Sequence, residues 1–348
     1  MPVRARSAAG AIRERSFHAW LAAHLPAGRT GLLPLGDDAA ALVPPRGRVA
    51  VISTDTLVEG MHFLRSSPAG RVGAAAAAVS LSDVAAKGAM PSAILLGLVL
   101  PRGSPRRWAE GVVRGAERMG ARYGAHVVGG DTKPGPTRAI ASTVVGWGWP
   151  HHLAPRAGAR PGDVVATTGT VGRGGLAAAG LAAGGARARR AAIDLLDIRP
   201  RVREGVALAP LAHALLDTSD GIADSARLLA AASRVAVVLD EHRLPLARGL
   251  ASRARTRTAR RSIAFYGGDY ELLVALDPRR WERARRTVAA AGSPLTCVGR
   301  VERGSGAWLE SGGERGPLPA AGWQPFGRAV RGRSKPARRG SSRDERRD

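Results

Sequence analysis

Aspartates set beside glycine, serine or threonine recur along this chain: Gly36-Asp37-Asp38, Ser53-Thr54-Asp55-Thr56, Ser82-Asp83, Gly129-Gly130-Asp131-Thr132, Ser219-Asp220-Gly221 and Gly267-Gly268-Asp269. One such segment makes an ordinary turn or helix cap through local side-chain hydrogen bonds. Six of them, in a chain with 28 acidic against 53 basic residues, need a further reason. Gathered carboxylates repel one another unless a cation or a substrate neutralises them. Mg²⁺ supplies that reason: it takes oxygen ligands in near-octahedral geometry, one or two of them protein carboxylates, with water and substrate phosphates completing the shell. The hydroxyls of Ser53 and Thr54 can join the ligands or hydrogen-bond phosphate oxygens, and neighbouring glycines let backbone N–H groups approach phosphate closely. These residue types support metal-assisted phosphoryl chemistry, provided that the segments converge in space.

Absences narrow the chemistry further. The chain has no G-x-x-x-x-G-K-[ST] loop, no H-R-D catalytic loop with a D-F-G, and no H-E-x-x-H zinc site, so the phosphate grip is of another kind. The turn Gly169–Gly175 (GTVGRGG) fits either a phosphate cradle ahead of a helix N-terminus or a plain tight turn.

The elements that must position these segments are legible in outline. Apolar residues at Ile12, Phe17, Trp20, Leu21 and Leu25 predict a helix over Ile12–Leu25. Val49–Ser53 predicts a short strand delivering Ser-Thr-Asp at its carboxyl end. The alanine-rich Val72–Lys87 predicts a helix with Ser82 and Asp83 near its end, stopped by Gly88 to Pro91. Ile94–Leu100 predicts a buried strand, Trp108–Gly120 a helix, His126–Val128 a strand running into Gly-Gly-Asp, and Ala139–Gly146 a further strand. Pro150, Pro155, Gly158, Pro161 and Gly162 then cluster as a domain boundary. Beyond it, Val164–Thr168 and Ala214–Thr218 read as strands, with helices starting at Gly175 and Asp224; Ser262–Tyr266 leads into Gly-Gly-Asp and the strand Glu271–Leu276. Alternating strands and helices in 348 residues give a two-domain α/β or α+β protein. The expected division is 1–149, 150–328 and a basic tail, 329–348, too polar to bury the surface that ordering requires.

Composition removes other classes. The longest apolar runs, such as Ala74–Leu81 and Ile94–Leu100, are too short to span a bilayer, and Glu14, Arg15 and His18 interrupt any secretory signal. Cys297 is the one cysteine, which excludes an internal disulfide and a cysteine-held metal; a cytoplasmic protein is expected. The net charge of +25 comes from arginines scattered over every segment, with no groove-reading motif or aromatic stacking pattern, so nucleic acid is not the expected partner.

The ordered set LGDDAA, ISTDTLVEGMHF, SLSDVAAKGAMP, VVGGDTKPGP, DTSDGIADSA and YGGDYELL resembles thiamine-monophosphate kinase, of the superfamily that includes aminoimidazole ribonucleotide synthetase, over roughly residues 15 to 328. The resemblance implies an N-terminal domain whose strands contribute to a β-barrel shared by a homodimer, a C-terminal α/β domain, and ATP between them. It implies Asp38, Asp55, Asp83, Asp131 and Asp220 as Mg²⁺ ligands, joined by Ser53, Thr54 and Asp224. Gly130, Asp131 and Arg156 would contact ATP, with Ala223 at a position near ATP that is often serine. His62, Gly268 and Trp323 would meet thiamine monophosphate, Trp323 by stacking on its rings; packing into the core is the other reading of that tryptophan. Gly268 stands where the family commonly carries a glutamate. The implied reaction is ATP-dependent conversion of thiamine monophosphate to thiamine diphosphate. Within the superfamily, selenophosphate synthetase would show a reactive N-terminal cysteine or selenocysteine and the hydrogenase-maturation dehydratase a C-terminal cysteine, and this chain has neither.

Overall fold

A computed structural model describes residues 14–25, 39–40, 42–320 and 322. Asp38, Trp323 and the basic tail lie outside the described residues. The chain forms α1 (Glu14–His24), β1 (Val49–Val58), α2 (Ala69–Ala86), β2 (Met90–Leu100), α3 (Arg106–Ala121), β3 (His126–Pro134) and β4 (Ala139–Gly148), and after the Pro/Gly-rich stretch β5 (Val164–Thr168), α4 (Arg173–Ala182), α5 (Gly185–Leu195) and α6 (Val202–Leu208). There follow β6 (Ala214–Asp217), α7 (Ile222–Ser233), β7 (Ala236–Asp240), α8 (Leu250–Arg253), α9 (Arg257–Ala264), β8 (Leu272–Leu276), α10 (Trp281–Ala291), β9 (Leu295–Glu302), β10 (Gly306–Ser311) and β11 (Glu314–Pro317).

The first four strands form one sheet in the order β1-β4-β2-β3, and the other seven a second in the order β11-β10-β7-β9-β5-β8-β6. Helices α2 and α3 cover one face of the first sheet, with Leu81, Ile94, Val112 and Ile140 in the shared core. Ser80 Oγ donates 2.8 Å to the Ser142 carbonyl, tying α2 to β4. The second sheet is covered on both faces, by α7 and α9 around Leu229 and Phe265 and by α6 and α10 around Leu208 and Val288. Strand β8, paired between β5 and the edge strand β6, is accordingly buried at every residue and lacks the alternation of a half-buried strand.

The two halves meet where α6 crosses the end of α2. A Cβ at Gly205 would stand 2.0 Å from the Ala85 carbonyl oxygen, so only glycine lets the helices approach this closely. That contact sets the second sheet beside the turn of α2 that carries Asp83.

All four strands of the first sheet run further than their sequence patterns predict, β2 starting at Met90 and β4 ending at Gly148, and the extensions of β1 and β3 carry motif residues. β1 pairs with β4 through Val58↔Ala139, so Ser53-Thr54-Asp55 lies within the strand and not at its carboxyl end. β3 continues through Gly129-Gly130-Asp131 to Pro134, paired in parallel with β2. Both extensions are polar or glycine-rich, and it is ladder pairing that makes them strand.

Candidate active site

Strand alternation sorts the Ser53-Thr54-Asp55-Thr56 segment. Ser53, Asp55 and Leu57 face α2, whereas Thr54 and Thr56 are on the exposed side. On the inner side Asp55 meets Asp83, one helical turn before the end of α2, and Ser53 Oγ donates 2.5 Å to Asp83 Oδ2. The second sheet adds Asp217, the last residue of β6, and Asp220 in the turn that follows. Ser82 and Ser219 donate to Asp217 at 2.8 and 3.1 Å. Four carboxylates from three distant stretches of chain thus share one wall.

That wall separates two cavities. One, of about 580 Å³, carries Asp55, Asp83, Asp217 and Asp220 together with His62, Tyr270 and Gly268, and an apolar side of Leu195, Leu196 and Ile198. The other, of about 400 Å³, shares Asp83, Asp217, Ser219 and Asp220 but is faced by Ser53, Lys87 and Arg156. Anionic and cationic groups therefore line the same cavity, an arrangement suited to phosphates bridged to cations.

The electrostatics record the crowding. Burial, then the charge of Asp83, its hydrogen bond and the charges of Asp217 and Asp220 push Asp55 up to about 7. Burial and Asp83 raise Asp217 to about 6 against the two serine hydrogen bonds. Burial, Asp224 and Asp83 raise Asp220. The Tyr270 phenol, buried and facing Asp217, Asp55, Asp220 and Asp83, is held strongly protonated; its backbone sits at φ +55°, a strained conformation for a non-glycine residue. Lys87 falls to about 8 through burial and Arg156, opposed by Asp217 and Asp83.

Among the described residues no three His, Cys, Asp or Glu side chains close around a single point as a ready-made metal cage. The donor set still fits Mg²⁺. That ion takes one or two protein carboxylates and leaves its remaining positions to water and phosphate; burial first and then the neighbouring carboxylates lift Asp55, and a bound dication offsets both. Asp55, Asp83, Asp217 and Asp220 are the residues that could hold it.

His62 follows the turn after β1, where Val58 N–H donates 3.0 Å to its Nδ1. Burial lowers its pKa against the Val58 hydrogen bond, which favours the neutral ring, and with Nδ1 accepting from Val58 that ring carries its proton on Nε2. Gly268 lines the larger cavity at φ +76° and donates its N–H 2.7 Å to the Ser219 carbonyl.

Several expected positions lie elsewhere. Thr54 points from the opposite side of β1 and accepts from Thr143 Oγ1 at 2.9 Å, so its hydroxyl does not join the acidic wall. Asp131 sits on β3, three strands from β1 and about 14 Å away at ordinary strand spacing, and pairs with Lys133 at 2.9 Å. Gly130 beside it serves packing: its Cβ would stand 1.9 Å from the Leu96 carbonyl oxygen. Asp224, in the first turn of α7, acts on the wall through its charge on Asp220 and lies 3.6 Å from Arg227. Ala223 is wholly enclosed in the second core, so its methyl cannot touch a ligand.

The glycine-rich turn before α4 is settled by Asp269. Its two carboxylate oxygens accept from Gly172 N and Gly174 N at 2.7 and 2.9 Å. The N-terminus of α4 thus finds its anion inside the protein, and the turn is structural, docked on the Gly267-Gly268-Asp269 loop. Asp217 and Lys87 are the residues that sequence reasoning missed. Both stand inside the segments DTSDGIADSA and SLSDVAAKGAMP, Asp217 three residues before Asp220 and Lys87 one helical turn after Asp83, a spacing that would have indicated a common face.

Comparison with known proteins bears on the same residues. The family model for AIR synthase related protein, N-terminal domain, matches residues 36–148, and the model for the C-terminal domain matches residues 160–309. The thiamine-monophosphate kinase of Synechococcus elongatus is 36% identical over 299 residues, 79% of this chain and 88% of that protein. The crystal structure of thiamine-monophosphate kinase from Stenotrophomonas maltophilia is 31% identical, with a TM-score of 0.74 over 84% of this chain and 93% of its own. AaThiL complexed with AMPPCP and TMP is 30% identical, with a TM-score of 0.69 over 81% and 88%. Shared sequence, shared architecture and coverage of about four-fifths of this chain agree that the chain belongs to the thiamine-monophosphate kinase family, built on the two AIR synthase related domains.

Proposed function

We infer that this chain transfers the γ-phosphoryl group of ATP to thiamine monophosphate, giving thiamine diphosphate and ADP, at the acidic wall between its two cavities. One observation carries the reading: Asp55, Asp83, Asp217 and Asp220 converge between a cavity with Lys87 and Arg156 and a cavity with His62 and an apolar side. The relative solved in complex with AMPPCP and TMP supports carrying two ligands over to this cleft.

The smaller cavity suits the ATP phosphates, with Lys87 and Arg156 as their cationic partners. The larger one suits thiamine monophosphate, whose rings would lie along Leu195, Leu196 and Ile198. Neutral His62, with its proton held on Nε2, orients the acceptor as a hydrogen-bond donor. The acceptor phosphate is mostly ionised at neutral pH, its second pKa being near 6, so an oxygen of that phosphate attacks the γ-phosphorus without a general base. The new P–O bond forms as the bond to ADP breaks, with no phosphoenzyme. Mg²⁺ bound by the four aspartates would neutralise charge on the nonbridging oxygens, where it sits in the transition state. Positioning does the remainder.

A homodimer is part of the reading. The outer side of the first sheet exposes Ile52 and Val99, with Val145 and Leu95 between them, and an apolar sheet face of this kind calls for a covering layer. The Ile52→Glu variant is expected to elute as a monomer where the parent elutes as a dimer.

The test is product formation from ATP, Mg²⁺ and thiamine monophosphate, with free thiamine and formylglycinamidine ribonucleotide as alternative acceptors. Thiamine diphosphate formed only from the monophosphate, and lost in EDTA, is the expected result. ATP consumption that requires the ribonucleotide would overturn the substrate assignment.

A further inference from the structure

A third cavity, of about 440 Å³, lies in the second domain and shares no lining residue with the two cavities of the cleft. Its walls are α9, the short helical turn Glu241–Arg243 after β7, the segment carrying Leu244 and Leu246, and the Ser311-Gly312 turn between β10 and β11. We propose that this cavity binds a small organic phosphate: a compact apolar or aromatic group bearing a dianionic phosphate.

Charge is the first argument. Arg257, Arg260 and Arg261 face the cavity from one helix, and Glu241 is the one acidic side chain on its lining. Glu241 is engaged already. Arg261 donates to it at 2.7 and 2.8 Å and Arg257 at 3.1 Å, and Ser311 adds a further hydrogen bond; these contacts, Arg261 first, hold its carboxyl at about 2. Three guanidinium groups against one carboxylate leave two positive charges in excess, which matches a phosphate dianion.

Preorganisation is the second. Arg260 meets no carboxylate among the described residues. Its Nε and Nη2 donate to the carbonyls of Ala254 and Arg255 at 2.9 and 3.4 Å, which fixes the guanidinium while its charge stays unbalanced. A planar, oriented guanidinium loses little freedom on receiving a phosphate. His242 is also fixed, since Gly312 N–H donates 3.3 Å to its Nε2.

The third argument is the floor. The apolar surface that a ligand could cover is that of Leu246, 38% exposed, next to the buried Leu244; Phe265 behind them belongs to the core. Inorganic phosphate has no use for that apolar surface; an organic phosphate covers it. The volume falls within the usual range for small-ligand sites, roughly 300 to 1,000 Å³.

The experiment is calorimetric titration of the full chain in EDTA with AMP and, separately, with inorganic phosphate. AMP should bind saturably, one per chain, and at least about tenfold more tightly than inorganic phosphate, as expected when apolar contact adds to a shared charge-assisted grip. Arg260→Gln and, independently, Leu246→Glu, which places a carboxylate on an exposed edge and leaves the core intact, should each weaken AMP binding at least about tenfold. Arg156→Gln, in the cleft, should leave it unchanged. Three results would each overturn the proposal: no saturable binding, binding that survives both Arg260→Gln and Leu246→Glu, or binding lost in Arg156→Gln. Equal affinity for inorganic phosphate would remove the organic group from the assignment.

Discussion

The carboxylates of the cleft and those of the loop before β8 come from similar stretches of sequence and have opposite surroundings. Asp55, Asp83, Asp217 and Asp220 face one another, helped only by Ser53, Ser82 and Ser219. Asp269 and Glu271, just before β8, are each closed off by protein donors: Asp269 by two backbone N–H groups of the α4 turn, Glu271 by a two-pronged contact from Arg201 at 2.6 and 2.7 Å and by Thr168. A buried carboxylate supplied with donors is a structural fastener. A group of carboxylates that face one another, with three serines as their donors, is poised for a cation that the protein does not itself provide. Aspartate beside glycine does not distinguish the two; the residues facing it across the fold do.

Substitutions should separate the two regions. The largest effect belongs to Asp217→Asn, expected to lower kcat about 10³-fold, near 4 kcal/mol of transition-state stabilisation, while circular dichroism shows the fold retained. In the fastener region the loss should appear in stability instead. Arg201→Met strands the buried Glu271 carboxylate and should cost about 3 kcal/mol in urea unfolding, with kcat of the folded fraction little changed.

A smaller effect distinguishes the regions by pH. Asp55 and Asp217 titrate in the folded chain at about 7 and about 6, above their unfolded value near 4. The folded state therefore binds protons that the unfolded state has released. The stability these groups contribute is fully present below about pH 4 and is lost as pH rises through about 6 to 7. Thermal unfolding in EDTA should show Asp55→Asn more stable than the parent by about 1 to 2 kcal/mol at pH 8, with the difference vanishing at pH 4 and reversed by Mg²⁺. Equal pH profiles for the two proteins would refute the crowding. The smallest effect is reserved for Thr54→Ala: its hydroxyl lies on the far side of β1, so kcat/KM should fall less than about threefold.

Most of this contrast was legible in the sequence as location and little of it as role. The strand and helix patterns around Val49–Ser53, Val72–Lys87 and Ile94–Leu100 matched real elements, because a core-facing period survives without knowledge of partners. The reach of β1 and β3 through polar and glycine-rich residues did not show, since ladder pairing with β4 and β2 decides it. Strand alternation separated Thr54 from Ser53 and Asp55, and reading the segment as a strand end concealed it. Asp269 was grouped with the other Gly-Gly-Asp segment because its hydrogen bonds reach about a hundred residues back, to Gly172 and Gly174. Ala223 was drawn from a motif position, and its enclosure in the second core is a tertiary fact. Among the described residues no helix is long and apolar enough to cross a membrane, in keeping with the short apolar runs.

The central claim is that phosphoryl transfer occurs at the acidic wall between the two cavities. Its most direct test is ³¹P NMR of the purified chain with ATP, Mg²⁺ and thiamine monophosphate, run beside Asp217→Asn. The account predicts ADP and thiamine diphosphate in equal amounts from the parent, formation about 10³-fold slower from the variant, and neither product in EDTA. Undiminished product from Asp217→Asn would contradict it.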